Sequence, residues 1–295
     1  MCVKAKLLAF DSMGVRSMAT SIETSEAKII IDPGAALAPR RYGLPPHPLE
    51  YERLNEVLGV IRKELVDSDM VIITHYHYDH YLRSKDDVEF YNGKKLYVKD
   101  PYTMINASQR IRAFRLFKKN KIEGLVKEII FADGKIVEYG RVKLYFSQPV
   151  PHGEEGTPLG YVIMVMVEED GYRILHTSDV QGPISNKTLD LIFEWKPNMI
   201  ILCGPPTYFE GYKVPTASIK RGLNNMLKLL ELEELETIII DHHLLRDLNY
   251  RERISELLRL SKAYKIRIYN AAEYMGQEIN QLEARRRELW GKEVG

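Results

Sequence analysis

Short runs of aliphatic and β-branched residues alternate along the chain with longer stretches whose apolar positions recur every three or four residues. "KLLAFDS" and "AKIIIDPG" are the first predicted strands. The second stops at Asp32-Pro33-Gly34, where proline removes a backbone donor and glycine permits a turn. The proline-rich loop "APRRYGLPPHP" precedes a helix predicted from Leu49 to about Val66, with Leu54, Val57, Leu58, Ile61 and Leu65 as its inward stripe. "DMVIIT" is a buried strand and "KKLYVKD" a short one. Residues 103–121 predict a helix with Ile111, Phe114 and Phe117 inward and several cations outward. "KEIIFADG" and "RVKLYFSQPV" are strands separated by turns. "LGYVIMVMVEEDGYRILHTSD" is a hairpin that turns at Asp170-Gly171.

The second half is more regular. A helix starts near Asn186, "NMIILCG" is a strand, and a helix from Thr216 carries Ile219, Leu223, Met226, Leu227 and Leu230 on one face. "LETIIID" is a strand ending at His242-His243, "YKIRIY" is another, and a last helix reaches about Leu289. Strands with interleaved helices in both halves define an α/β class. With no internal repeat, low-complexity tract or linker, residues 1–295 are expected to form a single domain.

Composition narrows the function classes. The chain has 295 residues, enough for a substantial core, with 45% hydrophobic and 28% charged residues. A net charge of +1 provides no overall field for nucleic acid or an anionic membrane, which leaves only local patches to consider. "MCVKAKLLAFDSMG" lacks a signal-peptide apolar region and no stretch predicts a membrane span, so the expected location is cytoplasmic. Cys2 and Cys203 form no C-x-x-C pair, which argues against a disulfide framework and a thiolate zinc site. Nothing in the sequence sets an oligomeric state.

The densest chemistry is "THYHYDHY", Thr74–Tyr81, directly after the apolar run "MVIIT". In an extended segment His75 and His77 point the same way and can share one metal ion. Asp79 and His80 lie where the chain must turn and can address a second. A helical site would place its ligands four residues apart, as in H-E-x-x-H. Four residues cannot complete two coordination shells. Further donors stand at the ends of strand patterns: His152 in "PVPHGEEG", Asp179 in "LHTSD", and His242 and His243 in "IIIDHH".

H-x-H-x-D-H after an apolar strand, then a lone His, an Asp, and a His after a late strand, resembles the metallo-β-lactamase superfamily. "AKIIIDPG" is similar to that family's second-strand motif, and "MGVRSMATSIET" to the opening of its RNase Z-like members. The resemblance spans roughly Leu7 to His243 and extends to an uncharacterised archaeal branch. It implies a four-layer αββα sandwich. It also implies that His75, His77 and His152 hold one metal, that Asp79, His80 and His242 hold the other, and that Asp179 bridges them. His243 is then an alternative last ligand or a residue behind the ligands.

Imidazole and carboxylate donors suit two divalent ions, Zn²⁺ first, with Mn or Fe as alternatives. Such a pair activates a bridging hydroxide for hydrolysis of an ester-like bond, with Asp79 orienting it or carrying its proton. Nothing points to β-lactams. The expected function is hydrolysis of a phosphodiester, in RNA or a nucleotide-like substrate. The alternatives are a lactonase or another small carboxylic or phosphate ester hydrolase, and a non-catalytic, metal-stabilised scaffold. Tyr208 and Tyr212, in the loop "GPPTYFEGYKVPT", are candidate substrate contacts.

Other residues have plainer readings. His176 inside its strand is a packed imidazole, His47 a loop residue, and Cys203 a small buried one. Tyr76 and Tyr78 alternate with the histidines and are expected to pack beneath the loop. Arg110, Arg112, Arg115, Lys118, Lys119 and Lys121 form either a solvated face or a phosphate-binding patch, and "EARRREL" has the same two readings.

Overall fold

The structure is a computed structural model and describes residues 3–291. Its organisation follows from strands that are apolar at every position. In β4 (Met70–Ile73) Met70 and Ile72 face one apolar cluster while Val71 and Ile73 face another. In β13 (Met199–Cys203) Met199, Ile201 and Cys203 face that same first cluster, and Ile200 and Leu202 a third. A strand buried on both sides needs no alternation of polar residues, which is why these segments are continuous apolar runs.

Two sheets share the first cluster. One has six strands in sequence order: β1 (Lys4–Phe10), β2 (Met18–Glu23), β3 (Lys28–Ile31), β4, β5 (Lys95–Val98) and β6 (Glu128–Phe131). The other has seven in the order β15-β14-β13-β12-β11-β8-β7, with β7 Ile136–Tyr139, β8 Val142–Phe146, β11 Val165–Glu169, β12 Tyr172–His176, β14 Thr237–Asp241 and β15 Arg267–Tyr269. A separate pair joins β9 (Val150–Pro151) to β10 (Tyr161–Val162). Helix α1 (Pro48–Val66) covers the outer face of the first sheet through Val57, Ile61 and Leu65. Helices α3 (Asn186–Trp195), α4 (Thr216–Lys228), α5 (Tyr250–Arg253) and α6 (Ser255–Ser261) cover the second through Leu189, Ile192, Met226, Tyr250 and Leu257. This is the αββα sandwich. Each buried aliphatic side chain contributes roughly 1.5–3 kcal/mol.

Polarity of pairing positions the functional end. Strands β3 to β6 run parallel, as do β12 to β15, so their carboxyl ends lie together at one edge of each sheet. In open α/β sheets that edge is where ligands bind. The predicted hairpin is present, with Asp170 and Gly171 both at positive φ between β11 and β12.

Three expectations about elements change. The helix expected over 103–121 is α2 (Ala107–Phe114) followed by a wider helical turn, Arg115–Lys119. Its apolar spacing is right but its phase is not. Gln109, Ala113, Leu116 and Phe117 are buried, whereas Ile111 and Phe114 are 54% and 55% exposed. Gln109 sets the phase: its side chain accepts from the Tyr76 N–H and donates to the Leu159 carbonyl. The closing helix is broken into α7 (Ala271–Tyr274) and α8 (Arg286–Leu289), with Gly276 in a left-handed conformation between them. Strand β7, not expected from the sequence, is a four-residue edge strand that stays mostly exposed although Ile136, Val137 and Tyr139 are apolar.

The run "EARRREL" serves structure. Arg286 is fully buried and grips Glu50, at the start of α1, through two hydrogen bonds of 2.7 and 2.6 Å. It also donates to the Ala38 and Leu44 carbonyls. Arg285 pairs with Glu288, and Arg287 lies over the Tyr42 ring. Removing one partner of a buried pair leaves the other charge stranded. Arg286→Ala is therefore expected to destabilise the fold by about 3–5 kcal/mol; a urea midpoint close to wild type would refute this.

Glu283 is held similarly by Arg16, with two bonds of 2.6 Å. Burial pushes the Glu283 carboxyl up, but Arg16, with smaller help from Arg246 and Arg41, brings it from 4.5 down to about 2. The folded value is depressed, so the stabilisation is complete above the unfolded value of 4.5 and is lost as pH falls towards 2. It amounts to about 3 kcal/mol at neutral pH. In Glu283→Gln, the fall in unfolding free energy between pH 6 and pH 3 is expected to be smaller than in wild type by about 2 kcal/mol, since part of the stabilisation persists until the pH reaches the folded value.

Candidate metal centre

The loop after β4 is anchored before it presents its histidines. Asp32, just past β3, accepts from the Thr74 N–H at 2.8 Å, the Thr74 hydroxyl at 2.7 Å and His80 Nδ1 at 2.8 Å. Since a carboxylate only accepts, Nδ1 carries the proton and His80 Nε2 is left to face inward. Gly34 lets the two segments meet: a Cβ there would lie 2.0 Å from the Tyr81 nitrogen. Asp11, just past β1, does for His242, at the end of β14 in the other sheet, what Asp32 does for His80. It accepts from His242 Nδ1 at 2.8 Å and from Arg246 Nε at 2.7 Å.

The expected donors meet. Ligand atoms of His75, His77, His152 and Asp179 lie within 4.8 Å of one another, as do those of Asp79, His80 and His242. The Asp179 carboxylate stands between the sets. Its Oδ2 is 3.0 Å from His152 Nε2 and 3.7 Å from His75 Nε2. Its Oδ1 is 3.3 Å from His242 Nε2 and 3.5 Å from His80 Nε2. His243 Nε2 approaches Asp179 Oδ2 at 3.6 Å but groups with neither Asp79 nor His80, whereas His242 groups with both.

A cation fits this arrangement on the structure's own terms. His80 Nε2, His152 Nε2 and Asp179 Oδ1 are buried and make no hydrogen bond. Each such atom costs roughly 1–3 kcal/mol when left unsatisfied. Burial holds His75 well below the ordinary imidazole range and His77 down at about 3, so both present lone pairs. Burial also lowers His80 and His242, but Asp179 overrides it, helped by Asp32 for His80 and Asp11 for His242. His80 ends well above its ordinary value and His242 at about 9. Asp79 and Asp179 remain ionised despite burial because these imidazoles face them. The cluster thus draws in positive charge, and its nitrogen and oxygen donors suit a divalent ion of the zinc, manganese or iron kind.

The surrounding residues fall into place. His176 is saturated, with Nε2 on the Met18 carbonyl and Nδ1 accepting from the Ser178 N–H. His47 caps α1. Cys203 is buried, and Cys2 lies outside the described residues. Tyr76 is packed as expected, its hydroxyl on the Lys99 carbonyl. Tyr78 is half-buried in the wall of a cleft of about 840 Å³ that also reaches Asp79, Asp179 and His243. Tyr208 lines that cleft and accepts from Arg246 at 3.3 Å. Tyr212 is 80% exposed and lies outside the cleft wall; the neighbouring Phe209 takes its place there. Asp11, Asp32, Arg246 and Gln181, whose Nε2 lies 3.1 Å from His152 Nδ1, escaped the sequence reading. Asp11 and Asp32 had a signal, each being an acid at the end of an early apolar strand.

Comparison with known proteins agrees with this geometry. The family model described as "Metallo-beta-lactamase superfamily" matches residues 14–243. A protein of Aeropyrum pernix named only "UPF0282 protein" is 42% identical over 299 residues, covering 99% of this chain and all of its own. The metallo-beta-lactamase fold protein YhfI from Bacillus subtilis superposes with a TM-score of 0.55 at 12% identity, over 92% of this chain and 97% of its own. An isothiocyanate hydrolase from Delia radicum gut bacteria superposes with a TM-score of 0.51 at 16% identity, over 86% and 92%. At such identities the likeness is one of fold.

Asp32 and Asp11 touch no ion in this scheme; they orient the imidazoles that do. Asp32→Asn and Asp11→Asn are each expected to weaken Zn²⁺ affinity by about 10- to 100-fold, read by competition with a chromophoric chelator. Affinities equal to wild type would remove both residues from the site.

Proposed function

The chain belongs to the metallo-beta-lactamase superfamily, and on that premise we propose that it is a binuclear metal-dependent hydrolase acting on a phosphodiester. One ion is held by His75, His77 and His152, the other by Asp79, His80 and His242, with Asp179 shared. The observation that carries this reading is the division of Asp179, whose two oxygens face different histidine sets. Bound there, a pair of divalent ions would lower the pKa of a water between them and stabilise negative charge on the substrate.

The protein's own groups supply the rest. Asp79 opens on the cleft together with His77, His152, Asp179 and His243, with its Oδ2 3.8 Å from His242 Nε2 and 3.9 Å from the Arg246 guanidinium. It orients the attacking water and takes its proton on that carboxylate. Arg246 is fixed by Asp11 and directed to the same wall, where it meets an anionic oxygen of the substrate. The remaining charged lining of the cleft, Arg16, Arg83 and Arg112, is entirely cationic, which favours a phosphate over a neutral ester.

A specific feature supports a second reading. A neighbouring pocket of about 570 Å³ shares His152 and His243 with the cleft and has apolar walls, including Ile184, Pro206, Phe209 and Val214. A small lactone or thioester with an apolar group fits that side.

Metal analysis of the purified full-length protein should find two divalent ions per chain, and a single ion would refute the binuclear assignment. With Zn²⁺ or Mn²⁺ added, bis-p-nitrophenyl phosphate is expected to be hydrolysed faster than lactones or thioesters; the reverse order would select the second reading. Asp79→Ala is expected to lower turnover by at least about 100-fold. Retained activity would sink its assigned role.

A further inference from the structure

Most arginines of this chain are spoken for. Arg16, Arg62, Arg246 and Arg286, for example, each pair with a carboxylate at 2.6–2.7 Å. Arg83, Arg112 and Arg115, like Arg40, Arg41, Arg110 and Arg287, have no carboxylate partner among the described residues, and these three gather on one side chain, Tyr78. The Arg83 guanidinium lies over the Tyr78 ring at 4.4 Å and that of Arg112 at 4.7 Å. Arg115 donates to the Tyr78 hydroxyl at 2.8 Å. They come from two separate elements, the loop after the histidine cluster and the α2 segment. Three like charges brought this close repel one another. The cation–π contacts offset that repulsion only in part, at roughly 0.5–1 kcal/mol each when exposed. The arrangement is short of negative charge.

Its position gives the deficit a meaning. Tyr78 lies between His77 and Asp79 in sequence, and Tyr78, Arg83 and Arg112 line the same cleft as those two residues and Asp179. We propose that Tyr78, Arg83, Arg112 and Arg115 form a docking site for a phosphate monoester group that the substrate carries beside the bond to be cleaved. The proposal deepens the phosphodiesterase reading and relies on it for the reaction. It adds that the natural substrate is a small molecule with a second, terminal phosphate.

The chemistry selects a monoester. A terminal phosphate carries close to two charges at neutral pH and three non-bridging acceptor oxygens, which matches a compact group of guanidinium forks. A diester carries one charge and two free oxygens. A nucleic-acid track would need cations spread along a surface, whereas in α2 and the turn after it Lys118 is paired with Glu123 and Arg112 and Arg115 turn towards Tyr78. Tyr78 is therefore a positioning residue, holding the arginines as a unit.

The test is calorimetric titration of the metal-loaded, full-length protein with phenyl phosphate and, separately, diphenyl phosphate. Wild type is expected to bind the monoester more tightly than the diester. Arg83→Gln/Arg112→Gln is expected to lose about tenfold or more of the monoester affinity, while Arg110→Gln, on the same helix but hydrogen-bonded to the Tyr102 carbonyl, keeps it. Equal monoester affinity in wild type and the double variant would overturn the proposal. So would tighter binding to single-stranded RNA that grows with oligonucleotide length and is lost in the double variant, because that is the behaviour of a nucleic-acid track. Hydrolysis of bis-p-nitrophenyl phosphate by wild type is scored independently. Its absence alongside variant-sensitive monoester binding rejects the hydrolase reading and not the docking site; turnover without variant-sensitive binding does the opposite.

Discussion

Taking the carboxylate of Asp179 out of water costs several kcal/mol unless positive charge faces it. Both of its oxygens are buried, and each is faced by imidazoles from different parts of the chain. His75 and His80 come from the end of β4 in one sheet, His242 from the end of β14 in the other, and His152 from the small β9–β10 pair. The carboxylate can be satisfied only if both sheets bring their carboxyl ends to one point. Parallel pairing within each sheet, and the shared apolar core that fixes one sheet against the other, produce that convergence.

Holding the convergence has local costs, and they appear in the backbone. Asp32, Ser178, Gln181 and His242 are all in the left-handed region, which non-glycine residues seldom occupy. Each lies beside or within the cluster of candidate ligands. Such strain persists only where surrounding contacts over-determine the geometry, and here they do. Asp32 makes three hydrogen bonds to the segment it orients. His242 follows Asp241, whose carboxylate accepts from the backbone N–H groups of Ser12, His242 and Ala271. The apolar core thus stabilises a site that departs from local backbone preference.

The sequence revealed the reactive donors more readily than their supports, and the reason is physical. His75, His77, Asp79 and His80 are crowded into one short loop after an unmistakable buried strand, so spacing alone announced them. Asp11 and Arg246 are 235 positions apart and meet only when β1 and β14 end side by side. No local pattern encodes such a meeting. The phase of α2 was missed for a related reason. Periodicity measures apolar spacing, but the helix is oriented by Gln109, a polar residue that joins the Tyr76 and Leu159 backbones. Arg286 was hidden because buried arginines are rare, and only the fold brings Glu50 to meet it.

The division between centre and walls also bears on how such a fold acquires a substrate. Apart from His152, which follows the β9–β10 pair, the candidate ligands hang from ends of strands paired on both sides, so small displacements there would disturb the sheets. The cleft walls come from elsewhere: the proline-rich loop with Leu37 and Pro45, the α2 segment with Arg112, and the loop with Tyr208 and Phe209. These segments can change without disturbing strand register, so substrate choice can vary while the donor set stays in place. In this chain the walls are asymmetric, with unpaired arginines around Tyr78 and an apolar pocket past His152 and His243. A centre made of histidine and aspartate sets the kind of bond that can be broken. On the hydrolase reading proposed above, the asymmetry of its walls would orient the molecule that carries that bond at a fixed centre.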